Sequence, residues 1–440
     1  MHFTSAPRFD GGALFVTCYN REMTANETIV RVLGIETSCD ESAIAIVEAK
    51  LVDGEPVFST VADALHSQSE IHAQFGGVFP ALAKREHASN LPGLVASVCG
   101  PATPENPAAI ISEETLAQAL AFLSREPGLA DAIQELLPRL ARPQIDLISV
   151  TTGPGLEPAL WVGINLARAL SLIWNVPMVG ANHMEGHVVS ALAQAAGDIV
   201  SDVDAAISRN RFPFPAVALL ISGGHTELIH ARAWGQYEEL GATRDDAVGE
   251  AFDKAARVLA MPYPGGPRIS AAAALERERR ANGNAAEYGI TLPRPMISSG
   301  DLDFSFSGLK TAVLYAARDV REKNSLAPDA PLPDRFIEEV AYEFEEAAVA
   351  VLVSKTRKAI ENTNARALIV GGGVIANTRI RQALQELADM LGIPLLLPTT
   401  YLATDNAVMI AMAGYLKSLR TNPVIAPELI ADGNWSISNA

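Results

Sequence analysis

The chain has 440 residues, 49% of them hydrophobic, with 34 Lys+Arg against 51 Asp+Glu and a formal net charge of −17. That length accommodates two domains with substantial cores, and the acidic balance excludes nucleic-acid binding by bulk charge, leaving room only for a local basic patch or for partner subunits. Cys18, Cys39 and Cys99 share no paired spacing, which excludes a disulfide framework and a cysteine-based zinc site and fits a reducing, cytoplasmic compartment.

No apolar run approaches the roughly 20 residues that span a bilayer. Residues 1–30 lack the architecture of a signal peptide, and Met23 is an alternative start, so this stretch is expected to be a disordered or mis-started extension. Residues 30–35 predict a buried strand, 36–42 a polar turn and 43–47 a returning strand. Asp40 and Glu41 stand at the tip of that turn, either as solvated acids or as groups facing a polar ligand. A glycine-loosened loop at 75–80 leads into a helix over 81–98, with Lys84, Arg85 and His87 near its start. Residues 100–142 open with three prolines and continue as an alanine- and leucine-rich amphipathic stretch, expected as an inserted helical hairpin on the surface without chemistry of its own. A strand over 145–151, the turn Gly153-Pro-Gly155 and a helix over 158–174 follow; such a turn can admit a phosphate, but it also serves connections that bind nothing.

A short strand over 177–181 then delivers Ala-Asn-His-Met-Glu-Gly-His, residues 181–187. In a helix, His183 and His187 share one face, one turn apart, which is half of a metal site or else an ordinary packed pair. Glu185 lies roughly 160° around the helix from either histidine. It therefore cannot serve as the base of a zinc protease, where the glutamate directly follows the first histidine.

Residues 195–212 read as a linker between lobes, and the second half restarts the pattern. Strand 214–221, polar turn Ser222-Gly-Gly-His-Thr226 and strand 227–233 repeat the unit at 30–47, and two copies predict two similar lobes with a cleft suited to a nucleotide. A helix over 245–259 precedes Tyr263-Pro-Gly-Gly-Pro267, a rigid turn with open backbone that could lie against a ring or ribose. Gly371-Gly-Gly373 ends a strand and Asn377 could bond a base or ribose, yet neither the dinucleotide fingerprint nor the Walker lysine motif is present. Asp405 precedes the last helix, as a third metal ligand if the fold returns it to the histidines or as a helix cap if it does not.

Seven motifs in order carry a family resemblance: Gly34-Ile-Glu-Thr-Ser-Cys-Asp-Glu41, His183-Met-Glu-Gly-His187, Ser222-Gly-Gly-His-Thr226, Gly249-Glu-Ala-Phe-Asp-Lys254, Pro264-Gly-Gly-Pro267, Asp303-Phe-Ser-Phe-Ser-Gly-Leu-Lys310 and Thr404-Asp-Asn406. The chain resembles the tRNA N6-adenosine threonylcarbamoyltransferases, once described as glycoprotein endopeptidases, from about residue 31 to about 420. The resemblance implies an α/β, actin-like fold of the sugar kinase and heat-shock ATPase (ASKHA) class, with two similar lobes and an interlobe cleft. Lobes are expected at 31–205, carrying the insertion, and at 206–425, followed by a tail at 426–440. It implies transfer of a threonylcarbamoyl group from threonylcarbamoyl-AMP to N6 of adenosine 37 in tRNAs reading codons that begin with A.

Carried over residue by residue, the resemblance gives His183, His187 and Asp405 one divalent metal, iron or zinc. It gives Leu220, Ile221, Ser222, Gly223, Gly224, Asp253, Gly266 and Asn377 the adenylate, and places Asp40 and Glu41 near the reacting centre. It also implies tRNA, an inactive paralogue of the same fold and a P-loop ATPase subunit as partners, and no membrane. One departure is Phe79-Pro-Ala-Leu-Ala83, where the family commonly has a glutamate in place of Ala81. Rival readings are another metal-dependent carbamoyltransferase of the superfamily, an inactive scaffold paralogue, a metallopeptidase and a small-molecule kinase.

Overall fold

The computed structural model describes residues 28–75, 77–192, 212–327 and 330–440. The extension and the linker expected at 1–30 and 195–212 therefore lie outside the described residues, apart from 28–30 and Phe212.

The first sheet is a meander joined to two parallel strands. β1 (Val30–Glu36), β2 (Glu41–Val52) and β3 (Glu55–Ser67) run antiparallel, and β4 (Leu147–Gly153) and β5 (Met178–Asn182) lie parallel to β1, in the order β3-β2-β1-β4-β5. β4 and β5 are buried along their whole length, so their sequences are near-continuous apolar or small runs rather than alternating ones. The second sheet uses β6 (Ala216–Ile221), β7 (Thr226–Ala233), β8 (Gln236–Ala242), β9 (Ala367–Gly371) and β10 (Leu395–Leu396), in the order β10-β9-β6-β7-β8. Strand order and direction match the first sheet one for one. The repeat visible in sequence as strand–turn–strand is thus a whole five-stranded sheet, and the α/β fold is the duplicated actin-like one.

Helices fill the layers around the sheets. α1 (Ser69–Ala73), α2 (Pro80–Cys99), α3 (Glu113–Phe122), α4 (Pro127–Leu136) and α5 (Glu157–Trp174) lie on the first-sheet side of the chain, and α6 (His183–Val189) follows β5 directly. α7 (Val248–Val258), α8 (Gly265–Ala281), α9 (Ser307–Lys323), α10 (Asp334–Thr363) and α11 (Thr378–Leu391) belong with the second sheet, and α12 (Ala407–Ser418) ends the series. The α3–α4 hairpin is more than a surface appendage: Ala119, Leu123 and Leu129 are fully buried in the core that also holds Leu91 of α2 and Leu160 of α5. Periodicity revealed its apolar face but not the surface that face covers.

α12 follows the second sheet in sequence yet packs on the first, its Val408 and Ala411 lying with Val32, Ala43 and Ala45. The approach is close because β1 carries Gly34 there; a Cβ at that position would stand 2.1 Å from the Ala407 carbonyl oxygen. Residues 426–440 are packed rather than trailing: Asp432 N–H donates to Thr152 O at 2.8 Å, and Ile437 is buried beside the second sheet. Among the described residues no helix is long and apolar enough to cross a membrane.

Candidate metal centre and interlobe cleft

The loops that leave the C-terminal ends of β1, β4, β5, β6 and β9 converge on one cleft of about 740 Å³. Ligands of open α/β sheets bind at such strand ends, where loop backbone is free of the ladder.

At the end of β5, Asn182 caps α6, its side-chain oxygen accepting from Met184 N–H at 2.9 Å and Glu185 N–H at 3.1 Å. The helix therefore starts at His183, and His187 stacks one turn below it, ring centroids 4.7 Å apart and nearly perpendicular. Glu185 is turned away and buried, its carboxylate 3.3 Å from the Arg420 guanidinium. That pairing removes it as a hydrolytic base.

Asp405 is free to face the histidines because its neighbour does the capping: Asn406 accepts from Met409 N–H at 2.9 Å at the start of α12. Asp405 Oδ1 lies 3.1 Å from His187 Nε2 and 3.4 Å from His183 Nε2, and one donor atom from each of the three residues falls within 4.8 Å of the others. Both ring nitrogens of His187 are buried without a hydrogen bond. An orphaned buried polar group costs about 1–3 kcal/mol, and a cation on Nε2 would satisfy one of them. Two imidazoles and one carboxylate, with positions left open, form a donor set suited to iron or zinc. The residues present fit the metal.

His183 has a partner on its other side. Its Nδ1 lies 3.0 Å from Glu36 Oε2, and Glu36 is itself held by the Thr151 hydroxyl at 2.6 Å and by the Ser38 N–H. A proton on Nδ1 donated to that carboxylate leaves the Nε2 lone pair aimed at Asp405 and His187, which is how an outer carboxylate orients a ligating histidine. Burial opposes charge on His183, but the summed pull of Asp405 and Glu36 outweighs it and holds its pKa well above the usual histidine range. Burial likewise pushes Asp405 up, and the two imidazoles more than reverse it. Sequence reasoning passed over Glu36. Its signal was a charged residue closing the apolar run Val32–Ile35. Glu36→Gln is expected to weaken metal binding by about 10- to 100-fold, measured by competition with a chromophoric chelator; unchanged affinity would detach Glu36 from the site.

Ser222, Gly223, Gly224 and Asp253 line the same cleft. The Ser222 hydroxyl closes its own turn by accepting from Gly224 and His225 N–H. A Cβ at Gly223 or Gly224 would meet nothing within 4 Å, so these glycines leave space open instead of permitting close packing. Asp253 accepts from Gly265 N–H at 2.7 Å, which places Gly266 beside it at the start of α8.

Five sequence-predicted residues stand apart from the cleft lining, among them Gly266 and the buried ligand His187. Leu220 and Ile221 are fully buried in β6, paired with Glu227 and Thr226. Asn377 caps α11 through Ile380 N–H at 3.0 Å and donates to Glu345 at 2.7 Å, so its side chain is already engaged.

Asp40 and Glu41 both line the cleft that His183 and Asp405 also line. Burial, then the neighbouring Asp405 and Asp40 charges, pushes the Glu41 carboxyl up to about 10. The Ser67 hydroxyl donates to it at 3.1 Å. His225, absent from the sequence-derived set, also faces the cleft, with its imidazole pushed down to about 4, mainly by burial and then by His183 and His187.

Residues 126–412 match the family model described as tRNA N6-adenosine threonylcarbamoyltransferase. The enzyme of that name from Polynucleobacter asymbioticus is 40% identical over 394 residues, covering 89% of this chain and 93% of the relative. The one from Burkholderia multivorans is 41% identical over 393 residues, covering 88% and 92%. The chain belongs to the tRNA N6-adenosine threonylcarbamoyltransferase family. Among solved structures, component A of the (R)-2-hydroxyglutaryl-CoA dehydratase of Acidaminococcus fermentans aligns with 89% of this chain and 99% of its own, at 13% identity and a TM-score of 0.36. That score is too low to add to the strand order. Membership of this family implies a transferase acting on tRNA, and His183, His187 and Asp405 form a cluster that could hold a metal ion.

Proposed function

We propose that this chain transfers the threonylcarbamoyl group of threonylcarbamoyl-AMP to N6 of adenosine 37 in tRNAs reading codons that begin with A. The observation that carries the reading is that His183, Asp405, Ser222–Gly224 and Asp253 all line one cleft. The reaction joins N6 to the carbamoyl carbon as the bond from that carbon to the phosphate oxygen breaks, releasing AMP and one N6 proton. The donor already carries a good leaving group, so the chain needs no covalent nucleophile.

His183, His187 and Asp405 would hold one divalent cation, Fe2+ in our reading with Zn2+ as the alternative, which when bound supplies Lewis-acid polarisation of the carbamoyl carbonyl. The 222–224 backbone, Asp253 and Gly266 would hold the adenylate, with Leu220 and Ile221 delivering that loop and Asn377 shaping the start of α11. Holding the weakly nucleophilic N6 amine against the carbonyl supplies much of the acceleration. Asp40 is the group proposed to take the N6 proton, since it lines the cleft while the Glu41 carboxylate is already engaged by the Ser67 hydroxyl. Asp40→Asn is expected to lower kcat by about 10²- to 10⁴-fold, whereas Glu41→Gln changes it by less than about tenfold. Equal and severe losses in both would return the base assignment to Glu41.

The remaining parts of the reading are a cytoplasmic location, an inactive paralogue of the same fold and a P-loop ATPase as working partners, and lobes at 31–205 and 206–425 with α12 returning to the first. Partner subunits fit a chain whose net charge of −17 opposes unaided tRNA binding. The deciding experiment supplies threonylcarbamoyl-AMP, tRNA, metal and both partners, and follows modified adenosine 37 by mass spectrometry of digested tRNA. Product supports the reading. A metal-loaded, fully partnered wild type that makes none overturns it in favour of another carbamoyl acceptor or a scaffold role.

A further inference from the structure

Behind the loop that carries Asp40 and Glu41 lies a chain of buried polar side chains that the proposed chemistry does not use. His72, Gln68 and His87 are each fully buried. The Phe79 N–H donates to His72 Nδ1 at 3.3 Å, His72 Nε2 lies 3.2 Å from Gln68 Oε1, Gln68 Nε2 lies 3.2 Å from His87 Nδ1, and His87 Nε2 lies 3.0 Å from the Cys39 carbonyl oxygen. Ser42 adds its hydroxyl to His87 Nδ1 at 2.7 Å, and Gln68 N–H donates to the Asp40 carbonyl at 2.9 Å.

The direction of this chain is determined independently from both ends. A backbone N–H can only donate, so His72 Nδ1 accepts and its Nε2 carries the proton given to Gln68 Oε1. A backbone carbonyl can only accept, so His87 Nε2 carries a proton and Nδ1 accepts from Gln68 and Ser42. Both deductions give Gln68 the same amide orientation, and both imidazoles are neutral. Burial, which pulls the His87 pKa down, favours that same state. A fully satisfied buried network is rigid, whereas a partly broken one costs more than an apolar core. Its far end grips the carbonyl of the residue that precedes Asp40.

We propose that His87, oriented through Gln68 and His72, is a positioning residue for the transfer reaction: it clamps the Cys39 carbonyl and thereby sets where the Asp40 and Glu41 carboxyls stand in the cleft, tying them to the start of α2. The proposal rests on the functional reading above for its kinetic consequence, but the clamp itself is a property of the loop. His87 touches neither the metal ligands nor the proposed adenylate subsite, so its effect falls on the chemical step.

The test compares wild type with His87→Phe, which keeps the ring volume and removes its hydrogen bonds to Cys39, Gln68 and Ser42, His87→Gln, which keeps a donor to Cys39, and Gln68→Met, which cuts the chain one link earlier. For His87→Phe we expect kcat for tRNA modification to fall about tenfold or more, with KM for the adenylate within about twofold and metal content unchanged. His87→Gln should recover most of the loss and Gln68→Met fall between. Hydrogen exchange supplies a readout independent of turnover: the peptide covering 37–44 should exchange faster in His87→Phe while the one covering 183–190 does not change. Unchanged exchange in the 37–44 peptide overturns the clamp even if no variant or wild type is active. Faster exchange at both peptides, or a kcat loss that only tracks the folded fraction, overturns it in favour of general structural support. A wild type without product, with the 37–44 peptide alone loosened, leaves the clamp standing and counts against the functional reading.

Discussion

His187→Ala is expected to strip the chain of its metal and to lower threonylcarbamoyl transfer by roughly a hundredfold or more, while the protein remains folded. Changing groups outside the ligand shell already costs about 10- to 100-fold in affinity or activity, and here a ligand itself is removed. The pocket left behind cannot recruit a substitute easily: His187 is 1% exposed, and the neighbouring Glu36 is committed to His183, Thr151 and Ser38. The folded state should tolerate the change, because the Asp405 carboxylate that His187 faces keeps His183 as a second partner at 3.4 Å. Metal per chain by elemental analysis and modified adenosine by mass spectrometry read the two halves of the prediction. A variant that keeps both its metal and its turnover would place the cation elsewhere. One that keeps metal but loses turnover would move His187 from metal ligand to substrate contact.

The second large effect lies away from the ligands, at Gly34. Gly34→Val is expected to destabilise the whole first lobe, because even the first carbon of the new side chain would sit 2.1 Å from the Ala407 carbonyl oxygen and 3.0 Å from the Ala411 nitrogen. Neither neighbour is a flexible side chain, so α12 as a unit has to move off β1. Overpacking a core typically costs about 1–3 kcal/mol, and a backbone-against-backbone clash belongs at or above the top of that range. Asp405 lies two residues before α12, so the displacement should also open the distance to His183 and His187. We therefore expect a lower thermal midpoint and weaker metal binding together, read by calorimetry and by chelator competition on the same preparation. Gly34→Val with wild-type stability would mean that α12 does not pack on β1 as described. Lost stability with unchanged metal affinity would uncouple the helix from the ligand.

Local features of this chain were legible from sequence. The shared face of His183 and His187 follows from the 3.6-residue helical period. The same period turned Glu185 away, and the structure pairs it with Arg420. The strand–turn–strand repeat pointed to two similar lobes, and the matching strand orders extend it to whole sheets. The family resemblance named Ser222–Gly224, Asp253, Asp40 and Glu41 as site residues, and all of them line one cleft.

Other features depended on partners far away in the chain. Asp405 read alone as a helix cap, since sequence logic weighs only adjacent N–H groups; in the fold Asn406 does that work and Asp405 faces histidines more than 200 positions earlier. Asn377 looked available for a ligand, but Glu345, 32 residues away, occupies its amide. Glu36 and Glu41 are both glutamates of one short motif, yet His183 holds the first below the usual carboxylate range despite burial, and burial beside other acids sends the second to about 10.

The sequence by itself therefore determined that a strand–turn–strand unit occurs twice and which side chains share a helix face, because those depend on periodicities spanning a few residues. The strands at 55–67 and 236–242 and the helix at 334–363 were not read from it. The tertiary structure alone decided which carboxylate stands behind His183, in which direction burial and neighbouring charges push each acid, and where the last helix lies. Each of those is settled by distance and burial between groups that the chain order keeps far apart.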